Sequence, residues 1–268
     1  MASQPNNRGG RTVRADDLTV RFGATVALAP SSFRLAEATV TTLIGPNGSG
    51  KTTLLHALAG VTTPTGGRLD QPFGATTAFV GQLHHHHRWM PLSALEVVRM
   101  GRYRRLGLFS RFRRADHDAV AHAASRADVE DLLAEPFGSL SGGQQQRVRI
   151  AQSLAGEPEL LLLDEPVTGL DPPSQERVLE VITAERARGT TVAFSTHHLD
   201  EAEMADQVLV LAGGVIAAGP PSSTLRPAVL STAFAGKVLV IGDQFVLDEH
   251  GHDHAHEREC LPADEHDA

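Results

Sequence analysis

Eight consecutive residues, Gly45, Pro46, Asn47, Gly48, Ser49, Gly50, Lys51 and Thr52, carry the densest chemical signal in this chain. Their spacing, G-x-x-x-x-G-K-T, suits a loop whose backbone N–H groups turn inward around phosphate oxygens. A helix starting there would aim its N-terminal dipole at the same anion. Lys51 would bring a compact positive charge to the β- and γ-phosphates of a nucleotide, and Thr52 a hydroxyl to Mg²⁺. Thr53, next in the chain, is expected to join the same nucleotide-binding set. A second feature follows far along the chain, where four leucines (160–163) run into Asp164 and Glu165. The leucines read as a buried parallel strand, and its carboxyl end is where an open α/β sheet binds ligands. Asp164 would hold Mg²⁺ through water. Glu165 would polarise the attacking water, which favours hydrolysis over transfer to another acceptor.

Elements must position these groups. Strands are expected at 18–22, 32–35 and 39–44, the last leading straight into the phosphate loop. A helix over 51–59 stops at Gly60. A short β-like run covers 75–81, then helices are expected at 93–100, 115–133 and 142–155. After 160–163, a helix over 174–188 ends at Gly189, and a β-branched strand spans 190–195. Hairpins are expected at 208–217, around Gly213-Gly214, and at 238–248. Beyond Asp248 the chain is polar and expected to be disordered. Strands alternating with helices at both ends imply an α/β fold with a mostly parallel sheet covered on both faces. A helical block is inserted between residues 82 and 156. No internal repeat is evident.

Leu140, Ser141, Gly142, Gly143 and Gln144 read LSGGQ, followed by Gln145-Gln146-Arg147. This resembles the signature of ABC ATPases, and the likeness extends over residues 13–225. Phe22 stands where that family places an aromatic ring against adenine. Gln82 matches its Q-loop, Thr168-Gly169-Leu170-Asp171 its D-loop, and His197, directly after Thr196, its switch histidine. The resemblance implies a P-loop NTPase core with an antiparallel β subdomain and an inserted helical subdomain. The divisions expected are 13–83 and 157–225 for the core, 84–156 for the helical subdomain, and 226–268 for a C-terminal hairpin and tail. It also implies a head-to-tail homodimer, with each ATP between the phosphate loop of one chain and residues 141–144 of the other. Gln82 would join Thr52 and Asp164 around Mg²⁺. Glu165, Gln82 and His197 would serve hydrolysis, and Asp171 would connect the two sites. Ser141 can cap the helix after it, whose N-terminus is a second anion site. Gly81 before Gln82, where relatives often carry Pro, and Pro172-Pro173 after the D-loop are mild departures.

The whole-chain properties agree with an ATPase that docks on a membrane protein. The 268 residues are 41% hydrophobic, enough for one large domain or a core with a subdomain. The formal charge is −8, of which the last 21 residues, with eight acids and one Arg, hold −7. The body is close to neutral, unlike a duplex nucleic-acid binder, so no nucleic-acid partner is expected. A single cysteine, Cys260, permits no internal disulfide and fits a reducing compartment. The polar start is no secretory signal, and no stretch approaches the roughly 20 apolar residues of a membrane helix. The resemblance to ABC ATPases further implies attachment at the cytoplasmic face through a separate permease, with an extracytoplasmic solute-binding protein in the same system. A repair or translation ATPase is disfavoured, because no second cassette, coiled coil or zinc module is present.

The transported substrate is written more faintly. Residues 99–114 hold seven Arg and no acid, which suggests either a solvated face or a patch facing permease and lipid headgroups. Met100-Gly101-Arg102-Tyr103 and Gly107-Leu108-Phe109 resemble ATPases of zinc, manganese or iron uptake. Siderophore and cobalamin importers carry similar words, and an exporter is a further alternative. The tail places His250, His252, His254 and His256 among carboxylates, a set suited to labile Zn²⁺. His84, His85, His86 and His87 are either a variable loop or a metal site near the docking surface. His56, His117 and His122 are expected to be structural.

Overall fold

The computed structural model describes residues 11–82, 92–103, 105–106 and 111–234, and the backbone of 238–241 and 244–247. The strands are β1 (Thr12–Phe22), β2 (Thr25–Ala36), β3 (Val40–Ile44), β4 (Gly66–Asp70), β5 (Thr77–Val80), β6 (Leu160–Leu163), β7 (Thr191–Thr196), β8 (Gln207–Leu211), β9 (Val215–Gly219), β10 (Val238–Ile241) and β11 (Gln244–Leu247). The helices are α1 (Lys51–Leu58), α2 (Ala94–Met100), α3 (Arg114–Arg126), α4 (Gly142–Ala155), α5 (Pro172–Ala187), α6 (Leu199–Glu203), α7 (Pro221–Thr224) and α8 (Pro227–Ala233).

A six-stranded sheet runs in the order β5-β6-β7-β3-β8-β9. All neighbours are parallel except β8 and β9, which form the expected antiparallel hairpin. The leucine run explains why both faces must be covered. Leu160 and Leu162 enter the core around α1, while Leu161 and Leu163 enter the core under α2, α3, α4 and α5. Successive side chains of a strand point to opposite faces, so an unbroken apolar run needs two cores. A second, antiparallel sheet, β2-β1-β4, packs over α1. Its strands β1 and β2 are longer than the local pattern suggests. Alternation is broken at register shifts between Ala15 and Leu18 and again between Leu18 and Val20. Strand β4, Gly66-Gly67-Arg68-Leu69-Asp70, has almost no apolar signal and is held by pairing with β1.

The helix expected over 115–133 stops earlier. α3 ends at Arg126, Asp128 adopts φ +53°, and one 3₁₀ turn follows at Glu130–Leu132. The arginine-rich stretch also departs from a purely solvated face. Arg102 is buried, with Nε and Nη2 donating to Asp116 Oδ1 at 3.1 and 2.9 Å. Its Nη1 donates to the Ala155 carbonyl and to Glu157. The Met-Gly-Arg-Tyr word is therefore partly a clamp that ties α2 to α3 and α4. A second clamp joins α3 to the core, where Arg126 donates to Glu185, whose side chain is 0% exposed. His56 packs edge-on against Phe79, and the exposed His117 lies tilted against Phe112 at 5.5 Å. His84 to His87 and the tail histidines lie outside the described residues.

A candidate nucleotide-phosphate site at the carboxyl end of the parallel strands

β3 ends at Ile44 and the chain turns at once into the 45–50 loop. Gly50 caps α1 at φ +103°, a conformation open to glycine, and a Cβ there would press the Ala27 carbonyl at 3.0 Å. At Gly45 a Cβ would fall 2.3 Å from the Leu211 carbonyl, so β8 leaves room for hydrogen alone. Asn47, Gly48, Ser49, Gly50, Lys51, Thr52 and Thr53 line one cavity of about 440 Å³ with Thr25, Val26, Ala27, Gln82 and Glu165. Thus the sheet brings the phosphate loop, Gln82 and Glu165 to one place.

Lys51 is 5% exposed, and its ammonium donates to the carbonyls of Gly45 and Pro46 at 2.6 and 3.1 Å. Burial pulls its pKa below the ordinary lysine value, against the opposing pull of Glu165 and Asp164. Ser49 Oγ is buried without a hydrogen-bond partner, another group that a phosphate oxygen would satisfy.

The two ends of the Mg²⁺ hypothesis meet. Thr52 Oγ1 donates to Asp164 Oδ2 at 2.8 Å, so two hard oxygen donors share one point. Ser195 completes the arrangement. Its Oγ donates to Asp164 Oδ1 at 2.6 Å and accepts from the Glu165 backbone N–H at 2.8 Å. In the sequence Ser195 is only the last residue of the strand expected over 190–195. Its role comes from register, since β6 and β7 are adjacent with Leu163 beside Phe194. Glu165 itself sits at φ +47°, a left-handed conformation unusual for a residue with a side chain. Such strain is found where a side chain has to be aimed.

Other expected residues lie at the margins. Phe22 is 58% exposed beside the β1–β2 turn, whose Thr25 and Val26 reach the cavity. His197 follows β7, with its ring 4.1 Å from that of His198. Leu140 to Gln144 do not line this cavity. Ser141 caps α4 in a reciprocal box: its Oγ accepts from Gln144 N–H, and its own N–H donates to Gln144 Oε1 at 2.9 Å. Asp171 caps α5.

Known proteins of one family resemble this chain. Residues 28–168 match the ABC transporter family model, more than half of the chain. The hemin import ATP-binding protein HmuV of Nocardia farcinica is 39% identical over 264 residues, 90% of each chain. The manganese transport ATP-binding protein MntB of Halalkalibacterium halodurans is 32% identical, over 84% of this chain and 93% of that one. The zinc import ATP-binding protein ZnuC of Roseobacter denitrificans is 34% identical, over 78% and 79%. Among solved structures, a chain of an ABC transporter in an inward-facing conformation superposes with a TM-score of 0.77, at 27% identity over 88% and 95%. The dimeric cassette MJ0796 superposes at 0.65, at 25% identity over 78% and 98%. This chain belongs to the ABC transporter family and is an ATPase. It has the family's P-loop α/β fold with a separate antiparallel sheet.

Proposed function

We propose that this chain powers an importer of a divalent metal ion, zinc first and manganese or iron next. It would work as a head-to-tail dimer on a membrane permease at the cytoplasmic face, supplied by an extracytoplasmic solute-binding protein. The observation that carries the ATPase site is the Thr52–Asp164–Ser195–Glu165 chain of hydrogen bonds beside Lys51. Thr52, Asp164 and Gln82 would hold Mg²⁺, which when bound offsets charge on the β- and γ-phosphate oxygens. Lys51 leaves the Gly45 and Pro46 carbonyls for the phosphates. Glu165 orients and deprotonates water at the cavity wall, and His197 steadies the γ-phosphate. Phe22 stacks on adenine. Ser141, Gly142, Gly143 and Gln144, with Leu140 behind them, close the partner's ATP, and Asp171 links the two sites. Among the described residues no helix is long and apolar enough to cross a membrane.

Glu165→Gln should keep ATP binding and slow single-turnover hydrolysis by about 100-fold. Near-normal turnover by that variant would remove Glu165 from its role. The substrate assignment rests on the zinc and manganese relatives. A second reading, import of an iron chelate such as hemin, is favoured by the 39% identical hemin relative. Siderophore or cobalamin import and export remain alternatives to both. Deleting the gene and measuring cell metal under selective chelation decides among them. Loss of zinc uptake alone supports the first reading; unchanged zinc with lost hemin use supports the second. The tail histidines 250, 252, 254 and 256 would buffer Zn²⁺ reversibly. Calorimetry should show micromolar zinc binding that truncation after Asp248 abolishes, and the idea falls if the truncated chain binds equally.

A further inference from the structure

The N-termini of α4 and α5 lie side by side, and a serine joins them. At the start of α5 the Asp171 carboxylate accepts from Ser174 twice. The Ser174 N–H donates to Oδ1 at 3.0 Å and its hydroxyl to Oδ2 at 2.8 Å. On its other side Ser174 abuts Gly143, the second residue of α4. A Cβ on Gly143 would lie 2.3 Å from Ser174 Oγ and 2.4 Å from Ser174 Cβ. No carbon tolerates such distances, so the two backbones are as close as a serine permits. The helices are held in that position deeper down, where Val148 of α4 and Val178 of α5 belong to one buried cluster. The 141–144 turn and the 168–171 turn therefore have little freedom to move apart. Asp171 and Ser141 are both exposed caps at this end of the molecule, free to meet a second copy.

We propose that Ser174 is a positioning residue that couples Asp171 to the Ser141–Gln144 turn of the same chain. When a second copy engages Asp171, the displacement passes through the Ser174 hydroxyl and side chain to Gly143. The anion-binding turn that this chain offers across the interface is thereby set in place. Nucleotide bound in one composite site is then felt at the other through a path of three residues. This deepens the dimer reading above and rests on it.

The test uses the full chain in a Glu165→Gln background, with ATP-driven dimerisation followed by light scattering. Ser174→Ala keeps the Cβ against Gly143 and removes the hydroxyl, with both its bond to Asp171 and its own contact on Gly143. Ser174→Thr keeps the hydroxyl and adds a methyl group against Gly143. Both should raise the ATP concentration for half-maximal dimerisation, Ser174→Ala about five-fold and Ser174→Thr about ten-fold or more. Binding of a fluorescent ATP analogue to the monomer should stay at the parent value, a split that simple destabilisation would not produce. Dimerisation of Ser174→Ala at the parent ATP concentration overturns the inference, whatever the Thr variant does. Failure of the Glu165→Gln parent itself to dimerise with ATP overturns the dimer reading beneath it.

Discussion

At Glu165 the chain leaves a buried strand through a left-handed turn, and Ser195 Oγ anchors the backbone N–H at that turn. The same oxygen holds Asp164. One hydroxyl thus sets both carboxylates, the candidate metal ligand and the candidate base. Ser195→Ala should reduce kcat by at least about ten-fold, equivalent to about 1.4 kcal/mol at the transition state. It should also raise the Mg²⁺ concentration for half-maximal activity, because Asp164 loses its second partner. Steady-state assays across a Mg²⁺ titration check both effects. The lysine, the threonine and the two acids of this site were legible in sequence, because their order and spacing are local. Ser195 was not, because its role is set by which strand lies beside β6. Gly45 was legible as a turn residue, but not as one pressed against Leu211 of β8.

Between elements, arginines do the fastening: Arg102 is buried, and Arg126 is partly so. Arg126 reaches from α3 to Glu185 on α5, and Arg188 and Thr190 supply further donors to the same carboxylate. Removing Arg126 leaves a fully buried charge short of partners, so Arg126→Ala should cost about 3 kcal/mol, the low end for a broken buried pair. Urea unfolding measures this, as a lower midpoint at unchanged slope. The Arg102 clamp makes a pH prediction. The Arg113 backbone N–H, and then the Arg102 guanidinium, hold Asp116 below the usual aspartate range. A depressed folded pKa adds stability that is fully present above the unfolded value of about 3.9, and is lost as pH falls through the folded pKa. Asp116→Asn should therefore lower the urea midpoint at pH 5 and show a smaller further fall toward pH 3 than the parent. The helices themselves were largely readable: α4 matches residues 142–155, where the capping box marks the start. α3 ended early because Ala127 and Val129 are drawn into the core by tertiary packing, which local periodicity does not report.

For the whole molecule, the cavity and the signature turn sit apart. The cavity holds the phosphate loop, Gln82 and Glu165, whereas residues 140–144 lie outside it. On the two-chain reading proposed above, a single copy supplies one wall of each site. In the Glu165→Gln variant, ATP and Mg²⁺ should convert monomer to dimer, and EDTA should reverse it. Size-exclusion chromatography with light scattering reads the outcome, and a monomer at saturating ATP would refute the two-chain site. The sequence alone determined the phosphate loop, the acid pair, the signature turn and the α/β class, because each is written in contiguous residues with a fixed spacing. It also carried the tail histidines, which lie outside the described residues and stay a matter of composition. Tertiary structure alone decided the Ser195 anchor, the burial of Arg102 and Glu185, the strand β4 and the contact of Ser174 with Gly143. Each of these depends on two segments distant along the chain being brought together, and strand order and helix packing, not local pattern, specify which segments meet.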